Sequence, residues 1–271
     1  YGRATKGFRM ATPQDTAASV GDEPMQFYRK YHNRVKVAVG EDRVFAVPAI
    51  LQEHEAVNLI LLDDGFQHRR LRPHFSIVLS DYYRPFYKDF LLPAGQLRES
   101  RHGVRRADMV VVTKCPTDLQ EDEMMRIEHS IRRYADLPVF FSRIHYGAPV
   151  PFGSQQTLNK DIILVTGIGY AKPLYEYTAQ GFRVLEHISF ADHHVYTLAD
   201  IARLLKRVDQ SPRCSLVTTE KDWVKLTAPE LLRAAEKLPF FYIPIEIDFV
   251  KSGQDFDAMV LTAIQRVSSN T

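Results

Sequence analysis

The sequence is short of long apolar runs, cysteine and net charge, and each shortage excludes a class of protein. No apolar run approaches the ~18 residues that a membrane-spanning helix needs. The two cysteines, Cys115 and Cys214, are too few for a disulfide framework and suit a reducing cytosol. The formal net charge is only +2, so binding of an acidic ligand must come from local clusters of charge.

The chain also lacks an initiator methionine. It begins in a basic, glycine-containing segment, Tyr1–Gly7, whose glycines and cations either face phosphate or merely bend the chain. Tyr1 opens no signal peptide, and we expect the chain to be truncated upstream of it. Its 271 residues, 45% hydrophobic and 25% charged, have an ordinary globular composition and suit one large domain or two modest ones.

Short apolar runs alternate with amphipathic helical patterns along the chain. The runs that predict strands are Val35–Val39, Leu59–Leu62, Ser76–Leu79, Met109–Thr113, Val139–Phe141, Ile162–Val165, Leu216–Thr218 and Phe240–Ile247. Helices are predicted over Glu121–Tyr134, over Ala199–Val208 after an N-cap at Thr197, and over Ala258–Val267. This alternation predicts an α/β fold with a mainly parallel sheet. The Pro- and Gly-containing segment His145–Lys160 is the predicted linker between two domains, 1–146 and 147–271.

The most informative stretch is Asn58–Leu71, N-L-I-L-L-D-D-G-F-Q-H-R-R-L. Its apolar run Leu59–Leu62 predicts a strand buried on both faces. The carboxyl end of such a strand is where an open α/β sheet binds ligands. Asp63 and Asp64 follow directly, in the position where P-loop phosphotransferases hold Mg²⁺ beside a polyphosphate. An ordinary D-D-G turn is the alternative that this pair alone leaves open.

Two further segments carry groups suited to proton transfer. In Val20–Pro24, V-G-D-E-P, the glycine and proline predict an extended or turning backbone. Either Asp22 or Glu23 is then a candidate to accept a hydroxyl proton, and an exposed acidic turn is the alternative. In F-A-D-H-H-V-Y, His193 is a candidate proton relay or carboxylate-orienting group. No Cys or His partners stand at zinc-like spacings, so a zinc site is excluded.

Two arginine-rich bursts and a polar segment complete the candidate site. The bursts are His68–Arg72 and Arg98–Arg106, whose arginine forks match phosphate oxygens, with solvated surface salt bridges as the alternative. Exposed aromatics do not alternate with these cations, so nucleic acid is not the predicted partner. The stretch Leu216–Asp222, L-V-T-T-E-K-D, is predicted to be a strand followed by a polar loop that either contacts a nucleotide or is fixed by internal ion pairs.

Seven blocks, in this order, closely resemble the tetraacyldisaccharide 4'-kinase family of lipid A biosynthesis in Gram-negative bacteria. They are Y-G-R-x-x-K-G-F at Tyr1–Phe8, V-G-D-E-P at Val20–Pro24, L-D-D-G-F-Q-H-R-R-L at Leu62–Leu71, L-P-A-G-x-L-R-E at Leu92–Glu99, R-A-D-x-V-V-V-T-K at Arg106–Lys114, F-A-D-H-H-x-Y at Phe190–Tyr196 and T-E-K-D at Thr219–Asp222. The likeness spans nearly the whole chain. The D-D-G-F-Q-H-R-R-L block is highly specific, whereas T-E-K-D alone is weak.

The resemblance implies a P-loop NTPase-like core over 1–146 with a smaller α/β lobe over 147–271. It implies transfer of the γ-phosphate of ATP to the 4'-hydroxyl of an acylated glucosamine disaccharide 1-phosphate. Asp22 would be the base and His193 its partner, one from each lobe, so that closing the lobes would assemble the pair. The implied Mg²⁺ ligands are Glu23, Asp63 and Asp64, and the implied cleft residues are Tyr1, Arg3, Gln67, His68, Arg98 and Glu99.

The resemblance also implies a location and one limitation. Proteins of this family act as peripheral enzymes at the cytoplasmic face of the bacterial inner membrane, so an anionic membrane surface is an expected partner. The family carries a G-x-x-x-x-G-K-[ST] loop upstream of the Y-G-R block, and this chain contains none, so we expect the chain alone not to transfer phosphate. The competing hypotheses are another P-loop ligase or GTPase-like enzyme, and a non-catalytic protein that binds anionic lipid.

Overall fold

The computed structural model describes the backbone of residues 3–268 and the side chains of residues 3–266. In chain order the strands are β1 (Arg9–Met10), β2 (Ala38–Val39), β3 (Ile77–Asp81), β4 (Met109–Thr113), β5 (Val139–Tyr146), β6 (Val150–Pro151), β7 (Asp161–Thr166), β8 (Arg183–Ser189), β9 (Cys214–Thr219), β10 (Phe240–Ile243) and β11 (Ile245–Lys251). The α-helices are α1 (Ala17–Val20), α2 (Asp22–Tyr31), α3 (Arg43–Glu53), α4 (Glu121–Arg132), α5 (Lys172–Gly181), α6 (Leu198–Gln210), α7 (Glu220–Leu226), α8 (Pro229–Ala235) and α9 (Gly253–Ser268). A 3₁₀ helix covers Arg101–Arg106.

The chain divides into two compact units, and neither is continuous in sequence. The first unit joins the chain up to Glu55 with Tyr146–Ile245, and the second joins Ala56–His145 with the chain from Glu246 onward. The predicted division into 1–146 and 147–271 therefore differs from this one, although the point near residue 146 coincides. The reason is that α2 packs against α7, more than 180 positions later, and that β11 returns to lie beside β5.

The first unit contains a five-stranded sheet in the order β6-β10-β9-β7-β8. The last four of these strands run parallel, and only β6 is antiparallel to its neighbour. Strand β7, which lies between β9 and β8, is apolar without alternation because both of its faces are covered. Ile163 and Val165 pack on the side of α6, whereas Ile162 and Leu164 pack with Leu174 of α5.

Helix α6 shows how local sequence fixes one wall of this unit. Thr197 is its N-cap, and the Thr197 and Asp200 side chains bond to each other's backbone N–H groups in a capping box. Ile201 and Leu204 are the buried residues of its apolar stripe. Leu204 is fully buried in the same core cluster as Leu216 of β9. The N-cap and the apolar face predicted here are confirmed.

The second unit contains a four-stranded sheet in the order β11-β5-β4-β3, in which β3, β4 and β5 are parallel. Val110 and Val112 of β4 pack with Ile127 and Ile131 of α4 on one face. On the other face Phe140 packs with Phe249 of β11 and Phe256 of α9. The prediction of an α/β class with mainly parallel strands and flanking helices is confirmed in both units.

The predicted buried strand Leu59–Leu62 is wrong. The segment has no regular secondary structure, and the side chain of Leu61 is 84% exposed. An apolar run becomes a strand only when a neighbouring strand supplies hydrogen-bond partners, and no strand within residues 3–268 pairs with this segment. No helix in the same range combines the length and apolar character that crossing a bilayer requires.

Candidate active site

Three loops meet at the carboxyl ends of β7, β8 and β9 in the first unit. Because these strands are parallel, their carboxyl ends lie along one edge of the sheet. Gly167 follows β7, the segment Ala191–His194 follows β8, and α7 begins directly after β9. This edge is where open α/β sheets bind ligands. The structure thus gives the first unit a cluster of polar residues at the edge where chemistry is expected.

Helix α2 brings Asp22 to this cluster. The segment Val20–Pro24, predicted to be extended or turning, contains the end of α1 and the first turn of α2. Pro24 is accepted there because the first turn of a helix does not use its backbone N–H. Gly21, the preceding N-cap, has a φ of +102°, a backbone conformation that favours glycine. The carboxylates of Asp22 and Glu23 complement the positive end of the helix dipole.

Asp22 and His193 are in direct contact. Nδ1 of His193 lies 3.1 Å from Oδ2 of Asp22. His193 has a left-handed backbone with a φ of +57°, a conformation uncommon outside glycine and often found at functional sites. Asp192 accepts a hydrogen bond from the backbone N–H of His193, and its Oδ2 lies 3.8 Å from Nε2 of the ring. The imidazole therefore lies between two carboxylates.

The prediction that Asp22 and His193 come from different lobes is wrong, because both belong to the first unit. The pair is assembled by the packing of α2 against α7, with Met25 and Val224 in one buried cluster. The side chain of Asp22 is 17% exposed and that of His193 is 56% exposed. An approaching ligand therefore has access to both groups.

The T-E-K-D segment forms a helix rather than the predicted polar loop. Thr219 caps α7 by accepting a hydrogen bond from the backbone N–H of Asp222. Asp222 is fully buried and forms an ion pair with Lys225, with 3.1 Å between Oδ1 and Nζ. Internal ion pairs, one of the two alternatives for this segment, are what the structure contains.

Sequence analysis missed Lys225, although a signal was present. In W-V-K-L the lysine stands among apolar residues, three positions after Asp222, which is the spacing of side-chain pairs on one helix face. A second buried acid, Glu220, pairs with Lys30 of α2 at 3.2 Å and accepts a hydrogen bond from the backbone N–H of Ile245. These contacts fix α7 against α2.

In the second unit, Asp63 and Asp64 lie in an exposed turn, the alternative that D-D-G left open. Asp64 has a φ of +47° and forms an ion pair with Arg98, with 3.1 Å between Oδ2 and Nη1. The side chains of both partners are more than half exposed, so the pair adds little to stability. The carboxylates remain open to a ligand.

Glu99 is the centre of a charged cluster in the same unit. Its carboxylate accepts hydrogen bonds from Arg69 at 3.1 Å and from Arg106 at 2.8 Å, and Gln67 lies 3.4 Å away. Burial raises the pKa of Glu99, but the hydrogen bonds from Arg106 and Arg69 outweigh it, so the pKa lies below its usual range. Two segments separated by about 30 residues, both predicted to line the cleft, thus meet at Glu99. His68 is exposed beside them.

The remaining predicted cleft residues lie at the start of the chain. The side chain of Arg3 is 10% exposed, and it donates to the carbonyl of Gly7 at 2.7 Å and pairs with Glu41. These contacts order the N-terminal segment of the first unit. The prediction for Tyr1 lies outside the described residues.

The acidic residues predicted to hold Mg²⁺ are divided between the units, Glu23 in the first and Asp63 and Asp64 in the second. Within residues 3–268, no three His, Cys, Asp or Glu side chains are grouped so as to hold a metal ion by themselves. Mg²⁺ usually keeps several waters and binds one or two carboxylates together with substrate phosphates. The adjacent, exposed carboxylates of Asp63 and Asp64 match the one or two carboxylates that such a Mg²⁺ site needs.

The fold has a solved counterpart. The chain matches the crystal structure of "apo" form LpxK from Aquifex aeolicus in complex with ATP with a TM-score of 0.69 and 23% identity, over 97% of this chain and 76% of that one. This likeness shows an α/β protein with the fold of a P-loop kinase. The polar residues at the carboxyl ends of β7, β8 and β9 lie where such a sheet binds ligands.

Sequence comparison identifies the family. The family model for tetraacyldisaccharide-1-P 4'-kinase matches residues 1–265. Tetraacyldisaccharide 4'-kinases from Cytophaga hutchinsonii and Bacteroides thetaiotaomicron are 38% and 36% identical, and the matches cover all of this chain and 78% and 76% of those proteins. The chain belongs to the tetraacyldisaccharide 4'-kinase family, whose enzymes use ATP to phosphorylate the 4'-hydroxyl of a lipid A precursor.

Proposed function

We propose that Asp22 is the base that accepts the proton of the 4'-hydroxyl during phosphoryl transfer, and that His193 orients it. Transfer of a phosphoryl group to an alcohol needs a group within hydrogen-bond reach that can take the hydroxyl proton. The observation that carries the proposal is the 3.1 Å contact between Asp22 and His193 at the carboxyl edge of a parallel sheet.

The surroundings of Asp22 support this role over that of an exposed acidic turn. Its Oδ2 faces Nδ1 of His193 at 3.1 Å and Nζ of Lys225 at 3.8 Å. Both neighbours approach the same oxygen, and no hydrogen bond from the described side chains reaches Oδ1. An Nδ1–H tautomer of His193 would donate to Asp22 and hold the carboxylate in one orientation. Oδ1 is then the oxygen available to a hydroxyl proton.

We infer that the second unit supplies the contacts to ATP and Mg²⁺. The solved relative from Aquifex aeolicus is described in complex with ATP, which supports ATP as the phosphate donor here. Asp63 and Asp64 would hold Mg²⁺, which when bound neutralises the charge that develops on the phosphoryl oxygens. Gln67, His68, Arg98 and Glu99 are the proposed ligand-contacting residues of this unit, and Arg3 and Glu23 are those of the first unit.

The substrate class follows from the family, and the membrane contact is a proposal. The acceptor is an acylated disaccharide 1-phosphate, so the protein must meet a lipid whose head group is anionic. We propose that Arg70 and Arg72, both exposed, contribute to binding at the anionic surface of the inner membrane. Arg69, Arg98 and Arg106 are already paired with carboxylates.

The proposal is tested by replacing Asp22 in the complete protein. Asp22→Asn should lower kcat for transfer of the γ-phosphate of ATP to tetraacyldisaccharide 1-phosphate while leaving KM for ATP nearly unchanged. Asp209→Asn, an exposed acid on α6, is the matched control and should keep wild-type kcat. An Asp22→Asn protein that is folded and turns over at the wild-type rate would show that another group takes the proton.

A further inference from the structure

Lys225 is a buried cation that has no role in the proposed proton transfer. The side chain lies on α7 and is only 4% exposed. Burying an ammonium group is costly unless it is paired, so such a lysine needs specific partners. Its Nζ lies 3.1 Å from Oδ1 of Asp222, 3.5 Å from the carbonyl oxygen of Gly167 and 3.8 Å from Oδ2 of Asp22. One buried cation therefore serves two carboxylates.

The carboxylates of Asp222 and Asp22 differ in the hydrogen bonds that they accept from groups other than the lysine. Oδ2 of Asp222 accepts hydrogen bonds from the backbone N–H of Gly167 and from the hydroxyl of Thr219, both at 2.8 Å. Oδ1 of Asp222 accepts no hydrogen bond and depends on the ion pair with Lys225. Asp222 thus has its own anchors in β9 and in the loop after β7, and it holds the lysine in place.

The aromatic ring of Tyr196 closes the site on another side. Nζ of Lys225 lies 5.6 Å from the centroid of this ring, within the range of a cation–π contact. Burial raises the pKa of Tyr196, and the carboxylate of Asp222 adds to the shift, so the phenol stays neutral and contributes no competing charge. Besides this ring, the Asp222 carboxylate and the Gly167 carbonyl, the lysine faces the carboxylate of Asp22.

We propose that Lys225 is a positioning residue that holds Oδ2 of Asp22 from the protein interior, so that Oδ1 faces the acceptor hydroxyl. The proposal rests on the proposed role of Asp22 as the base. His193 and Lys225 contact the same carboxylate oxygen, the first from the exposed side and the second from the interior. A carboxylate held at one oxygen by two groups has a fixed orientation, and its other oxygen presents its lone pairs to the ligand.

A purely structural lysine would have the same burial, so the test must separate the two roles. In the complete protein, Lys225→Met removes the charge but leaves the buried carboxylate of Asp222 without a counter-charge, and this variant can fail to fold. Lys225→Met combined with Asp222→Asn removes both charges and keeps an acceptor for Gly167 and Thr219. Lys30→Met is the matched control, since Lys30 also joins α2 to a buried acid of α7 but has no contact with Asp22 among the described ones.

If Lys225 positions Asp22, the double variant without the Lys225 and Asp222 charges should fold and lose kcat by roughly 10-fold to 100-fold, by analogy with the loss of a group that orients a metal ligand. KM for ATP and for the disaccharide should change little, and Lys30→Met should lower stability but not kcat. Added to Asp22→Asn, the same double substitution should cause almost no further loss. A wild-type kcat in the double variant, or an equal loss of kcat in the Asp22→Asn background, would overturn the positioning role. Unchanged turnover in Asp22→Asn alone would instead overturn the proposed base.

Discussion

The Asp22–His193 pair makes the sharpest prediction, because the contact gives a measurable coupling between two residues 171 positions apart. The perturbations are Asp22→Asn and His193→Asn, alone and together, in the complete protein. Asparagine suits position 193 because it tolerates the left-handed backbone there but has no imidazole. Backbone strain is thereby kept out of the comparison.

The expected size of each effect follows from the geometry. A general base contributes roughly 10²–10⁴-fold to the rate, so Asp22→Asn should lower kcat by about that factor. A hydrogen bond to a charged group contributes about 1.5–3 kcal/mol. The side chain of His193 is 56% exposed, so solvent screening places its effect at the lower end, roughly tenfold in kcat.

The assay is a double-mutant cycle on kcat at saturating ATP and disaccharide. If His193 acts through Asp22, the double variant should be no slower than Asp22→Asn, and the coupling free energy should be about 1.4 kcal/mol. His194→Asn is the control: its ring pairs with Asp200 at 3.1 Å near the start of α6, so it should affect stability rather than kcat. Losses that multiply fully in the double variant would mean that the two residues work separately, and the paired role would have to be abandoned.

Three further predictions concern other parts of the molecule. Asp63→Ala or Asp64→Ala should each lower kcat by roughly 100-fold and alter the Mg²⁺ dependence, since each removes a proposed oxygen ligand of the metal; unchanged Mg²⁺ titrations in both variants would contradict this. Burial raises the pKa of Asp15, but hydrogen bonds from neighbouring side chains outweigh this effect, so the pKa falls from 3.8 to about 2. Asp15→Asn should therefore lower the free energy of unfolding by about 2 kcal/mol at pH 7. In urea titrations, this difference between the variant and the wild type should disappear as the pH falls from ~4 toward ~2. Replacing Arg70 and Arg72 by glutamine should weaken sedimentation with anionic liposomes by roughly 2 kcal/mol at low salt and less at high salt, with neutral liposomes as the control.

Elements with a strong local pattern were predictable. Helix α6 has both an N-cap and an apolar stripe, and β4 and β7 are apolar runs that neighbouring strands cover on both edges. The same kind of run at Leu59–Leu62 did not form a strand. The sequence cannot distinguish the two cases, because strand formation depends on backbone partners that lie far away along the chain.

Local sequence was ambiguous at α2 and at α7. Pro24 suggested a turn, and T-E-K-D suggested a loop, yet proline and acidic residues are also what the first turn of a helix accepts. What decided between these possibilities was burial: Met25 and Val224 meet in one core cluster, and this packing stabilises both helices.

The sequence by itself determined the α/β class and the family, and it supplied the groups proposed to do the chemistry, because those depend on residue types and on short-range spacing. Only the tertiary structure decided which groups meet. It placed Asp22 and His193 in one unit, and it brought Lys225 behind Asp22 through the packing of α7 against α2. Such contacts join residues more than 160 positions apart, and their distances are set by the burial of apolar faces, which no local pattern of residues records.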